Sequence, residues 1–192
     1  PTRRRRVLRR ARWITIGGTA VVVILARPPA GLLRGSTAGP PANPCTSGGP
    51  ARSYNISAIP VDMTLNRFGD HDPTAFMYVL DQNIAGVRAQ EQLPLPDRVS
   101  TGLRKDLIQP LVIRANLGEC LVINFTNRLA DGPASLHVLG LPHTVDNAGG
   151  KVGFNPDTFA PPGGGRTYRI PIPLDPRAER AYYFHDHGGS RE

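Results

Sequence analysis

From about residue 53 onward, apolar and polar side chains come in short runs, several of them alternating, broken by turn residues. Alternation with a period of two places successive side chains on opposite faces of a strand. The pattern predicts strands over 54–65, interrupted at Pro60, and over 76–80, followed by a turn at Asp81-Gln82-Asn83. Residues 111–115 and 120–126 flank the tight turn Asn116-Leu117-Gly118-Glu119 and read as a hairpin. Further strands are expected over 134–139, 167–172 and 180–185. No stretch keeps apolar residues at 3.6-residue spacing for three turns, and no internal repeat stands out. The 20 prolines and 21 glycines also suit strands and turns better than helices. The expected class is an all-β sandwich or barrel.

Charge changes the reading of the N-terminus. The net charge of +8 invites a nucleic-acid partner, but nine of the 23 basic residues precede Cys45 and no acid appears before Asp62. From Cys45 onward 14 basic residues face 15 acidic ones, so the body is nearly neutral. A nucleic-acid footprint belongs on the folded domain, and here the basic charge sits on a tail, so no nucleic-acid partner is expected. Seven arginines in the first twelve residues precede the apolar stretch 13–26. As a helix that stretch would span about 21 Å, against the roughly 30 Å of a bilayer core. Residues 1–38 therefore read as a basic export signal, with an uncleaved membrane anchor as the alternative. The chain is expected outside the cytoplasm: periplasmic, extracellular, or membrane-anchored facing outward. Residues 39–52 are a Pro/Gly-rich linker, and 53–192 the domain. The two cysteines, Cys45 and Cys120, are expected to pair in an exported protein, the alternative being two unpaired buried thiols.

The candidate chemistry lies in the histidines. His185 and His187 end the run Ala181-Tyr182-Tyr183-Phe184-His185-Asp186-His187. On a strand both imidazoles point one way and Asp186 the other. Two neutral imidazoles side by side suit copper or zinc. His137 lies on a predicted strand with Leu139 on its face. His143, after Pro142, reads as a loop residue, and His71 as part of the polar turn Asp70-His71-Asp72-Pro73. No serine or cysteine nucleophile stands in a recognisable frame with a histidine. Gly163-Gly164-Gly165 precedes a strand, whereas a phosphate cradle opens a helix. No catalytic residue is therefore assigned.

The order of segments Pro110-Leu111-Val112-Ile113-Arg114 through Cys120 to Asn127, then Ser135-Leu136-His137-Val138-Leu139-Gly140, then 167–171, then Tyr182 to His187 resembles the first plastocyanin-like domain of a multicopper oxidase. It is most similar to the bacterial branch that includes manganese-oxidising members. The resemblance covers residues 53–189. It implies a cupredoxin-like Greek-key β-sandwich and copper as cofactor, with two His-X-His pairs contributing to a type 2/type 3 copper cluster. His137 matches the first histidine of the first pair, and His185 and His187 match the second. Leu139 stands where the remaining histidine is expected. The metal-ligand set implied is thus His137, His185 and His187.

Two departures qualify the resemblance. The His-X-X-His-X-His and His-Cys-His motifs of the family are missing, and no blue-copper set can be read, because Cys120 lies on an early strand and Met63 and Met77 both precede it. The sequence also ends five residues after His187, where the family continues into another strand. The expectation is a truncated domain lacking its last strand, completed by later cupredoxin domains or another subunit, and without oxidase turnover as written. The alternative is a non-catalytic metal-binding or structural sandwich.

Overall fold

The computed structural model describes residues 42–99 and 106–188. Of the N-terminal segment it describes only Thr15–Ile16 (β1) and Thr19–Ala20 (β2), a short antiparallel pair. The rest of the predicted export segment and the first residues of the linker lie outside the described residues. Among the described residues no helix is long and apolar enough to cross a membrane.

The body is built on a four-stranded sheet in the order β4-β3-β5-β7. Its strands are Ala51–Thr64 (β3), His71–Leu80 (β4), Cys120–Asn127 (β5) and Gly165–Pro171 (β7). The β3–β4 and β5–β7 pairs are antiparallel, and β3 runs parallel to β5 from Ala51↔Cys120 to Ala58↔Asn127. A parallel pair needs a long crossover, which here contains β4 and a short α-helix, Ile84–Gln90 (α1). A second, two-stranded layer pairs His137–Val138 (β6) with Phe184–His185 (β8). This architecture agrees with the all-β sandwich expected from the sequence.

Alternation assigns the two faces of the sheet to two cores. Ile56 and Ala58 of β3, Leu121, Ile123 and Phe125 of β5, and Tyr168 and Ile170 of β7 face the second layer, where Leu136 and Val138 meet them. Tyr78 joins the layers: its ring lies 6.0 Å from Phe125 and 5.6 Å from Phe184, and its hydroxyl donates to the Ser135 carbonyl at 2.7 Å. The opposite face buries Ile59 and Val61 of β3 and Met77 and Val79 of β4 under Val87 of α1 and Ile108.

Three expectations are corrected. Residues 111–115 form no strand with β5. Both hydrogen-bonding edges of β5 are already taken, by β3 and β7, and the apolar side chains of Leu111, Ile113, Ala115 and Leu117 pack on the first core as a loop. Pro60 does not interrupt β3. Pairing with β5 has ended at Ala58, and the Pro60 carbonyl on that side accepts from the Arg88 side chain, so the missing N–H breaks no ladder bond. His71-Asp72-Pro73 opens strand β4 and is not a turn; a bulge between Val61 and Met63 absorbs the register there. The sheet also begins at Ala51, inside the stretch read as linker. A disulfide joins Cys45 to Cys120 across a separation of 75 residues and ties that stretch to the start of β5.

Candidate functional site

β6 and β8 are each only two residues long, yet they bring the implied ligands together. His137 pairs directly with His185. In β8 and the residues after it, Phe184 turns toward the core while His185 and His187 face outward with His137, as a period of two requires. Asp186 points the other way. Its Oδ1 accepts from the Ser135 backbone N–H at 2.6 Å, the Ser135 hydroxyl at 3.0 Å and the Gly188 N–H at 2.8 Å. The Ser135 hydroxyl accepts in turn from the His187 backbone N–H at 2.9 Å. Cross-strand bonds among side chain and backbone thus hold the segment where the short ladder has already ended.

The rings form one group. His137 lies 5.4 Å from His185 and 4.6 Å from His187, and His185 lies 4.6 Å from His187, centroid to centroid. The His137 Nδ1 stands 2.5 Å from the Ala148 carbonyl. A carbonyl only accepts, so this nitrogen donates, and in the neutral ring the lone pair then lies on Nε2. Hydrogen bonding from the far nitrogen of a ligand histidine is a common way to fix its tautomer and orientation. Partial loss of water pushes His187 below the ordinary histidine range, and the nearby His137 and His185 push it the same way; the Asp186 carboxylate opposes them. Each of the first three influences favours the neutral ring, the form that can donate to a metal.

A loop that the sequence did not single out backs these rings. Gly149 has φ +62°, and a Cβ there would lie 2.6 Å from the Leu136 carbonyl oxygen. A Cβ on Gly150 would lie 3.2 Å from His187 Nδ1. Glycine lets this backbone approach β6 and the imidazoles closely. Thr158 clamps the loop, its buried hydroxyl donating to the Gly150 carbonyl at 2.6 Å and accepting from the Gly150 N–H at 2.7 Å. The fully buried Tyr168 donates its hydroxyl to the Thr158 carbonyl at 2.7 Å. Burial pushes the Tyr168 phenol up to about 12, so it stays a donor. Gly149-Gly150 was the one local signal for this loop; an isolated threonine eight residues later carries none.

The donors are of the right kind for copper, but they are packed against one another. His137 and His187 are stacked, with 24° between ring planes, and the Nε2 atoms of His185 and His187 stand 2.7 Å apart, a hydrogen-bond distance. Two nitrogens held about 2.0–2.1 Å from one tetrahedral ion stand roughly 3.3 Å apart, so this pair would have to part to share a metal. Among the described residues no group of three or more His, Cys, Asp or Glu side chains stands in metal-holding geometry. His71 is elsewhere, paired with Asp62 at 2.6 Å. Leu139 begins the turn after β6 with its side chain exposed, its N–H donating to the Tyr183 carbonyl.

No protein-family model matches the chain, and no curated protein matches it. Among solved structures, it is similar to a multi-copper oxidase from Pseudomonas thermotolerans, with 22% identity and a TM-score of 0.46, over 71% of this chain and 25% of that one. It is also similar to Lac15 from a marine microbial metagenome, with 20% identity and a TM-score of 0.41, over 70% of this chain and 27% of that one. The chain thus spans about a quarter of the length of each.

Proposed function

We propose that this chain is a copper-binding, cupredoxin-like domain of an exported oxidoreductase of the multicopper-oxidase kind. One observation carries the reading. The β6–β8 pairing gathers His137, His185 and His187 into one outward-facing group, with His137 Nδ1 donating to the Ala148 carbonyl, which leaves the lone pair of the neutral ring on Nε2. The ordered motifs of the sequence support it. In this reading the three imidazoles hold copper, and bound copper supplies electron transfer toward oxygen. The residues themselves move no proton. Ser135 and Asp186 position His185 and His187, and Gly149 and Gly150 keep the loop backbone against the rings. His137 would serve the type 2 position, and His185 and His187 the type 3 positions. Later cupredoxin domains or another subunit would complete the cluster, and residues 1–38 would direct export or attach the chain to a membrane.

A second reading is a metal-free or single-ion sandwich without catalysis. The direct contact between His185 and His187 and the apolar side chain at Leu139 favour it. Anaerobic titration with Cu(II), followed by electron paramagnetic resonance, separates the two. The copper reading expects a type 2 signal that is lost in His185→Ala. Binding no tighter than to scattered surface histidines leaves only the structural reading. Oxygen uptake with a phenolic or Mn(II) donor is expected to stay at the free-copper background for this chain alone.

A further inference from the structure

We infer that the groove between residues 111–117 and the outer edge of β8 receives one extended strand supplied by another polypeptide, with apolar side chains at every second position. The inference does not depend on the copper reading. Among the described residues β6 and β8 pair only with each other, so the second layer is far narrower than the first and β8 keeps an open edge. The groove along that edge has a volume of about 910 Å³. The first core comes to the surface in it. Leu121, Val138, Leu141 and Ile172 line the groove and keep 5–7% exposure, whereas Ile56, Ile123, Leu136 and Tyr168 keep none.

Both walls have backbone groups to spare. From Leu111 to Leu117 exposure alternates: Leu111, Ile113, Ala115 and Leu117 turn to the core, and Val112, Arg114 and Asn116 turn outward. That is the period of a strand, yet no described strand pairs with this segment. The Tyr54 hydroxyl takes both backbone groups of Arg114, donating to its carbonyl at 2.6 Å and accepting from its N–H at 3.3 Å. Neighbouring residues of an extended chain aim their backbone groups to opposite sides. Those of Ile113 and Ala115 therefore face away from Tyr54, and among the described residues they have no backbone partner. On the other wall, the Leu139 N–H donates to the Tyr183 carbonyl and His137 pairs with His185. Residues 183 and 185 thus face β6, and the backbone groups of Tyr182 and Phe184 face the groove that both residues line. Buried backbone groups need partners. A helix bonds its own backbone internally, and an apolar small molecule has nothing to bond with, so either would bury these groups unpaired. A strand meets them on both sides, as in strand addition to an open sheet edge. A second copy of this chain does not supply it, because strands β3 to β7 already bury their apolar faces in the two cores.

The test uses the full, unaltered chain and a probe peptide of alternating valine and threonine with a lysine at each end. A second peptide has proline in place of the central valine, which keeps an apolar side chain and removes one N–H. Because both walls bond to the strand, that N–H has a partner whichever wall it faces. Calorimetric titration is expected to show binding of the first peptide, and binding of the proline peptide weaker by about tenfold. Hydrogen exchange read by NMR is expected to slow by about tenfold or more at the amides of Ile113, Ala115, Tyr182 and Phe184 when the first peptide saturates the chain, with the amide of Ile59 on the opposite face of the sheet unchanged. Equal affinity for the two peptides, or binding that leaves those four amides unprotected, overturns the inference, since the groove then takes apolar material without a ladder. Absence of binding at millimolar peptide overturns it too. Protection of the same amides without peptide, together with the mass of a dimer in sedimentation, means that a second copy fills the groove and likewise overturns it. None of these outcomes touches Cu(II) binding, so the copper reading stands or falls on its own titration.

Discussion

Glu119 shows how much one side chain at a turn can organise. Its carboxylate takes two bonds from the Arg52 guanidinium, at 2.8 and 2.9 Å, and two more from the Asn116 backbone and side-chain N–H groups, both at 2.8 Å. Bonds to the charged form favour it, and the Glu119 pKa falls to about 2, with the Arg52 bond the largest cause. A carboxyl depressed in the folded state contributes stability that is present above its ordinary pKa near 4.5 and drains away as pH falls toward 2. Urea unfolding between pH 5 and pH 2 is therefore expected to show a shallower loss of stability in Glu119→Gln than in the unaltered chain. Equal slopes would mean that this carboxylate titrates alike folded and unfolded. The effect belongs to the residue because its partners meet it only where β3 begins beside β5. In the sequence, Arg52 looked like the last residue of a linker, 67 positions away.

At the scale of elements, the candidate site depends less on its strands than on the loop behind them. β6 and β8 have two residues each, and the loop carrying Ala148, Gly149 and Gly150 supplies the remaining support. Gly149→Ala would place a methyl group 2.6 Å from the Leu136 carbonyl oxygen in a left-handed conformation. Strain of about 1–3 kcal/mol is expected, seen as a lower unfolding midpoint in urea. It should come with loss of the protected His137 Nδ1 proton resonance, because Ala148 would be displaced. Unchanged stability and an unchanged His137 tautomer would show that the loop yields freely. The histidines themselves were legible in the sequence, since a period of two follows from strand geometry alone. The loop was not, because its contacts join residues that share no periodicity. Thr158 reaches Gly150 through two hydrogen bonds made by its hydroxyl, and Tyr168 reaches Thr158 through one, and no repeat in the sequence links the three.

Across the whole molecule, the Cys45–Cys120 disulfide links the approach to the sheet with the start of its central strand β5. Closing a loop of that length contributes roughly 4 kcal/mol in the chain-entropy account. The double variant Cys45→Ser, Cys120→Ser is expected to lose about 2–5 kcal/mol of unfolding free energy by denaturant titration. A loss below 1 kcal/mol would mean that β3 and β5 hold their parallel register without it. That pairing also explains why the predicted hairpin failed. Adjacent strands joined by a tight turn are the usual outcome for such a sequence, but β5 is central, and a central strand has no edge left for a neighbour in sequence.

The sequence by itself determined the all-β class, the strand character of β3, β5 and β7, the neutral body behind a basic tail, and the common direction of His185 and His187. Each of these follows from composition or from the two-residue repeat of an extended chain, which needs no knowledge of neighbours. Only the tertiary structure decided that β5 lies between β3 and β7 and that Gly149 and Thr158 support the imidazoles. Those contacts join residues that no two-residue repeat links; they are selected by which faces can be buried together, and no local pattern records that choice.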